Sequence, residues 1–214
     1  MGTDKRDFDV EAATWDEEPR RVQLAKDLFR VIAEEAKLTS TMDVLDFGCG
    51  TGLVTLQLSA RVGHVTGVDS SQGMLDVLER KIRSYPIDNI KTHCIDLDCG
   101  DTIDGLYDLV VSTMTLHHVR DVASLLVKCS RLLKPGGRLC IADLDMEDGQ
   151  FHGNNEGVFH FGFERQALRE SLSRVGLVDI GDRTAAEVVK PGTDGSMRKF
   201  SVFLVTGRRA VLPA

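Results

Sequence analysis

The sequence predicts an α/β fold in which a parallel sheet is covered by helices on both faces. Two observations carry the prediction. From Met42 onward, short β-rich runs alternate with longer amphipathic stretches, the pattern of strand–helix–strand units. The first run, Val44-Leu45-Asp46-Phe47, then passes straight into Gly48-Cys49-Gly50-Thr51-Gly52. Glycines so placed let the main chain approach a ligand at the carboxyl edge of such a sheet.

Each element follows in order. Val22, Ala25, Phe29, Ile32 and Ala36 recur at helical spacing, so Pro19–Ala36 is expected to be an amphipathic helix. Strands are expected at Asp43–Phe47, 64–68, Ile90–Cys94, 107–112 and 137–142, with helices at 53–60, Gln72–Ser84 and 122–133 between them. The last of these helices places Leu125, Leu126, Cys129, Leu132 and Leu133 on one face and is stopped by Lys134-Pro135-Gly136-Gly137. Past Asp148, a Gly/Asn/His-rich stretch leads to a helix over 163–175, where Leu168, Leu172 and Val175 share a face. Two β-rich runs, 177–189 and 199–206, close the chain; the turn-rich segment 190–195 between them suits an antiparallel hairpin.

Composition limits the function classes. A chain of 214 residues with 42% hydrophobic and 28% charged residues is an ordinary globular domain. Its formal net charge of −7 makes attraction to a polyphosphate backbone a poor basis for binding, so nucleic acid is an unfavoured partner. The five cysteines (Cys49, Cys94, Cys99, Cys129, Cys140) form no C-x-x-C pair, which points to reduced thiols and a cytoplasmic address. No secretory leader, myristoylation pattern or membrane-spanning run is expected.

The chemistry is concentrated at strand ends. G-x-G-x-G at Gly48, Gly50 and Gly52 differs from the G-x-G-x-x-G dinucleotide fingerprint, and no G-K-[ST] follows to make a phosphate loop. Asp69 stands at the end of the second strand, about twenty residues after the glycine turn, where an acid accepts hydrogen bonds from ribose hydroxyls. It could instead cap the helix that follows, as could Ser70 or Ser71. The third strand leads to Cys94-Ile95-Asp96-Leu97, where Asp96 is placed to accept from an exocyclic amine, as adenine has. The fourth gives Val110-Val111-Ser112-Thr113-Met114-Thr115-Leu116-His117-His118, and the fifth lies in Leu132-Leu133-Lys134-Pro135-Gly136-Gly137-Arg138-Leu139-Cys140-Ile141-Ala142-Asp143.

These segments, in this order and spacing, resemble the class I S-adenosylmethionine-dependent methyltransferases, in particular the small-molecule group of the ubiquinone/menaquinone-biosynthesis type. The match spans about residues 42–145 and, more loosely, Phe161 to Leu177. The resemblance implies a Rossmann-like three-layer αβα sandwich with a seven-stranded, mostly parallel sheet and an antiparallel last strand. It implies one methyltransferase domain over 42–214 preceded by a helical cap segment, 1–41, over the active site. It implies S-adenosyl-L-methionine as cofactor and S-adenosyl-L-homocysteine as product. Asp46, Gly48, Gly50 and Gly52 match the family's methionine-binding turn, Asp69 and Ser70 its ribose site, Asp96 and Leu97 its adenine site, and Ser112 and Thr113 the positions under the sulfonium.

Methyl transfer to O, N, S or C of a small acceptor is mainly a matter of alignment, but a hydroxyl acceptor must also lose a proton. His117 is the candidate base, since adjacent histidines diverge and at most one faces the pocket. Trp15 is a candidate wall of the acceptor pocket, with a core anchor as the alternative. His152-x3-Glu156-x3-His160 has the spacing of three ligands on one helix face, but Gly153-Asn154-Asn155 and Gly157 break that helix, so no metal is expected. A loop over the acceptor, with His160 or His152 touching substrate, is expected instead. Asp143 and Asp145 raise a catechol-type magnesium site, against which Ser112-Thr113 offer no carboxylate at the fourth strand end. Three other functions remain: a catalytically silent cofactor-binding partner, a nucleic-acid methylase, and a nicotinamide oxidoreductase, for which no catalytic Tyr-Lys pair is evident.

Overall fold

The computed structural model describes residues 6–96, 101–192 and 195–211. The helices are α1 (Phe8–Glu11), α2 (Pro19–Ala36), α3 (Thr55–Ser59), α4 (Gln72–Ser84), α5 (Val122–Leu132) and α6 (Arg165–Arg174), with a 3-10 helix, Ala12–Glu17, joining the first two. The strands are β1 (Asp43–Phe47), β2 (His64–Asp69), β3 (Ile90–Cys94), β4 (Tyr107–Thr113), β5 (Leu133–Leu144), β6 (Leu177–Pro191) and β7 (Met197–Arg209). They form one sheet in the order β3-β2-β1-β4-β5-β7-β6. β1 to β5 run parallel, and β7 is antiparallel to both of its neighbours. The strand order reverses between β1 and β4, so the loops leaving their carboxyl ends part in opposite directions and open a crevice there.

Period two along the strands sends side chains to both faces. Val44, Leu109, Val111, Cys140, Val202 and Leu204 pack with Leu28 and Ile32 of α2 on one side. Leu45, Val110, Leu139, Ile141, Phe203 and Val205 pack with Leu126 of α5 and Leu172 of α6 on the other. Each fully buried aliphatic side chain contributes roughly 1.5–3 kcal/mol, so the two apolar layers clamp the sheet and hold the crevice rigid. α2 is capped at both ends: the Glu18 side chain accepts from Arg20 N, Pro19 opens the helix and Lys37 ends it at φ 52°.

The differences from expectation have physical causes. β5 begins at Leu133, before the Pro-Gly-Gly segment, because Leu133 already pairs with Tyr107; the register then jumps to Arg138 opposite Leu109 and the intervening residues bulge out. Lys134 on that bulge is not wasted, since its Nζ bonds Asp43 and Asp108 at 2.8 Å each. Gly181-Asp182 lies within β6 just after a register shift that begins at Val178. α3 is only five residues long. Cys49, Cys129 and Cys140 are buried and Cys94 exposed, all as free thiols; Cys99 lies outside the described residues. No described helix is long and apolar enough to cross a membrane.

Candidate active site

After β1 the chain folds back on itself through Gly48, Gly50 and Gly52, all at positive φ (72°, 53° and 83°). The three are not equivalent. A Cβ on Gly52 would fall 2.3 Å from Leu78 Cδ1, and one on Gly48 would fall 2.2 Å from Thr115 Oγ1, whereas one on Gly50 would meet nothing within 4 Å. Gly50 therefore presents bare backbone to open space. Gly52→Ala is expected to cost about 2–4 kcal/mol, left-handed strain plus overpacking, and Gly50→Ala about 1–2 kcal/mol, strain alone. Urea unfolding compares the two; equal losses would contradict this account of the turn.

Asp46, at the end of β1, does not reach the cavity. It is buried, accepts a 2.7 Å hydrogen bond from Thr55 Oγ1 through Oδ2, and leaves Oδ1 without a partner. Burial pushes its carboxyl up to about 6, despite the Thr55 bond and with a contribution from nearby Asp69. A raised carboxyl favours the folded state below its unfolded value, and that contribution is lost as pH rises through about 6. The gap between wild type and Asp46→Asn, which stays neutral, should thus move by roughly 2.5 kcal/mol in favour of the variant between pH 4 and 7.5. Urea midpoints of the pair at both pH values check it; a pH-independent gap would refute it.

Asp69 ends β2 with both carboxylate oxygens engaged by main chain: Oδ2 accepts from Gly50 N at 2.8 Å and Oδ1 from Ser71 N at 2.9 Å. Burial raises its carboxyl above the ordinary range against these bonds. Ser71, rather than Asp69, caps α4 by accepting from Met74 N at 3.1 Å. Asp69, Ser70, Ile95 and Asp96 line one cavity together with Gly48, Gly50 and Thr113. Leu97 lies outside the described residues. Ser112 is buried with an unpartnered Oγ and, like Asp46 and Gly52, stands behind the cavity wall. Met114 follows β4 at φ 54°, an unusual conformation for a long side chain, and lines the cavity.

The cavity measures ≈620 Å³ and extends from these strand tips under the N-terminal segment. That segment is pinned at two points. Asp9 accepts from Ser71 Oγ at 2.5 Å and from Gly73 N at 2.8 Å, at the start of α4. Asp16 accepts from Thr51 Oγ1 at 2.6 Å and pairs with Lys81 at 2.5 Å, and Lys81 also bonds Thr51 O. Trp15 lines the cavity, with the Arg21 guanidinium 3.6 Å over its ring and Phe8 edge-on at 5.9 Å.

At the far end stand three histidines, and His117 and His118, expected to diverge with at most one facing the pocket, both line the cavity. His117 is 1% exposed, and its Nδ1 donates to Asp143 Oδ1 at 2.7 Å. Burial alone would raise Asp143, but the neighbouring His117 ring and the hydrogen bonds from that ring, from Leu144 N and from His117 N outweigh it and hold the carboxyl low. His118 Nδ1 donates to Gly157 O at 2.7 Å. Burial, helped by His117, pushes His118 down to about 4 and His152 down to about 3, so both are neutral near pH 7. The loop that carries His152 is tied by Glu147 Oε2 to Gln150 N and Phe151 N at 2.6 and 3.0 Å.

His160 corrects an expectation. It does not line the cavity; its Nε2 donates to Val119 O at 2.9 Å and its ring lies on Phe163. His152 lines the cavity in its place. The sequence reading also missed Asp143 as the partner of His117. Adjacency of β4 and β5 was predictable, but the register that sets this acid beside the loop after β4 was not.

Comparison with known proteins gives the site its context. Residues 44–137 match the methyltransferase domain family. A methyltransferase of Schizosaccharomyces pombe, itself uncharacterized, is 39% identical over 123 residues, 54% of this chain and 43% of its own. The ubiquinone biosynthesis O-methyltransferase of Coxiella burnetii is 32% identical over 102 residues, 48% of this chain and 43% of its own. Residues 44–137 are thus similar to the methyltransferase domain of S-adenosylmethionine-dependent methyltransferases. The chain spans about half the length of these relatives. Phosphoethanolamine N-methyltransferase 2 of Haemonchus contortus, solved with S-adenosyl-L-methionine, shares the fold: TM-score 0.70 and 17% identity over 86% of this chain and 52% of that one.

The residues present fit the family's cofactor. The turn at Gly50 keeps open the space that a side chain would fill, and the Asp69 carboxylate reaches the cavity wall with lone pairs left on each oxygen.

Proposed function

We propose that the chain methylates a hydroxyl of a small organic acceptor, with residues 1–41 as the cap over the reaction. The observation that carries this reading is the buried His117–Asp143 pair at the cavity wall. The carboxylate fixes the ring with Nδ1 protonated, leaving Nε2 as a proton acceptor. Gly48 and Gly50 would hold the methionine part of the cofactor by main chain, Asp69 its ribose, and Ile95–Asp96 its adenine edge. Asp46, Gly52 and Ser112 support the turn and strand end from behind. The cofactor supplies an electrophilic methyl group on a sulfonium. His117 takes the acceptor's proton, Trp15 and His152 bound the acceptor, and the cap excludes water. The name of the Coxiella relative, an O-methyltransferase, supports the same accepting atom.

A coupled assay for S-adenosylhomocysteine release over phenol, alcohol, amine, thiol and carboxylate acceptors tests this. Turnover confined to hydroxyl compounds is expected; turnover of amines or thiols alone would overturn the choice of oxygen.

A further inference from the structure

His117, His118 and His152 each offer one ring nitrogen, and these nitrogens lie within 4.8 Å of one another. The ring centroids are 4.2, 4.9 and 5.6 Å apart. Three imidazoles sharing a tetrahedral ion at about 2.1 Å hold their nitrogens about 3.4 Å apart. Shifts of about an ångström, within reach of small χ rotations, would therefore bring the three to one centre.

The outer bonds of the rings are already those of ligands. His117 Nδ1 donates to the Asp143 carboxylate and His118 Nδ1 to the Gly157 carbonyl, both at 2.7 Å. Each bond fixes the tautomer and leaves Nε2 with its lone pair, as hydrogen bonds to a carboxylate or main-chain carbonyl do for metal-bound histidines. His152 Nε2 is buried with no hydrogen-bond partner, a cost that an apolar side chain at this position would not carry. A cation is the partner that would satisfy it.

We propose that His117, His118 and His152 form a site for one divalent transition-metal ion of the zinc type, with Asp143 and the Gly157 carbonyl orienting two of the ligands. The donor set is three neutral nitrogens, which suits zinc, cobalt or nickel and not magnesium or calcium, which take oxygen. Asp143 acts here as the orienting partner: Oδ1 accepts from His117 Nδ1 and Leu144 N, and Oδ2 from His117 N. The site is not the linear His152, Glu156, His160 set. Glu156 is exposed and bonded to Asn154, and His160 is committed to Val119.

Three protein ligands leave a fourth position open. In the ion-bound protein an acceptor hydroxyl would occupy that position and release its proton to solvent, and His117 would then hold the ion instead of the proton.

The test is titration of the chelator-treated full chain with Co²⁺, followed by visible absorption, and then with Zn²⁺. One Co²⁺ per chain is expected, with the intense bands of four- or five-coordinate cobalt, displaced by Zn²⁺ and unaffected by Mg²⁺. His118→Gln and His152→Gln should each weaken Co²⁺ binding at least about 100-fold, while circular dichroism reports that both variants are folded. Absence of saturable binding at millimolar Co²⁺ or Zn²⁺, or binding that both folded variants retain, would overturn the proposal.

Discussion

His117→Ala lowers methyl transfer to a hydroxyl acceptor by about 10²- to 10⁴-fold, the usual worth of a positioned base, and leaves S-adenosylmethionine affinity near that of wild type. The separation follows from the geometry: the ring stands after β4 beside Asp143, away from the glycine turn and Asp69 that would hold the cofactor. The variant also strands the buried Asp143 carboxyl, so a loss of about 3–5 kcal/mol of stability accompanies it. Asp143→Asn distinguishes chemistry from folding. An amide in that position donates to Nδ1 and favours the tautomer with a proton on Nε2, which removes the base while the ring stays in place. Its turnover should fall by a similar factor, and the double variant should be little worse than either single one, since groups that act as a unit are not additive. Losses that multiply, or wild-type turnover in His117→Ala, would take the pair out of the mechanism.

The second large effect falls on binding. Asp69→Ala should weaken S-adenosylmethionine by about 1.5–3 kcal/mol, roughly 10- to 150-fold, because hydrogen bonds to a charged acceptor are the stronger class. Each Asp69 oxygen spends one lone pair on main chain, Gly50 N or Ser71 N, and keeps another for a ribose hydroxyl. The same two bonds explain why the substitution also loosens the glycine turn. Asp69→Asn, which keeps the shape and loses the charge, should therefore lie between the two in affinity. Calorimetry measures all three, and unchanged affinity in Asp69→Ala would remove the ribose assignment.

Much of the fold was legible because its signals are local. The 3,4 spacing in α2 and the strand-glycine-helix order at Val44 to Gly52 depend only on neighbouring residues, and α2, α4, β1 and β3 lie where the sequence places them. The antiparallel β6–β7 hairpin was likewise announced by its turn composition. What was not legible depends on register between distant strands. Pairing of Leu133 with Tyr107 pulls the Pro-Gly-Gly segment into β5, and the pairing of Thr113 with Ala142 carries Asp143 to the level of the loop that bears His117. His152 meets the other two histidines across a loop without helical periodicity, and linear spacing could set it only beside Glu156 and His160, a grouping that the glycines of the stretch argued against. The roles of Asp9 and Asp16 were hidden for the same reason: each reaches a partner that lies far along the chain, Ser71 for one and Thr51 for the other.

The measurement that bears most directly on the whole account is calorimetric titration of the wild-type chain with S-adenosyl-L-methionine and S-adenosyl-L-homocysteine, with NAD as the control nucleotide. One site per chain for each sulfur nucleoside and no heat with NAD is the predicted result. Silence toward both sulfur nucleosides at millimolar concentration, or preference for NAD, would contradict it.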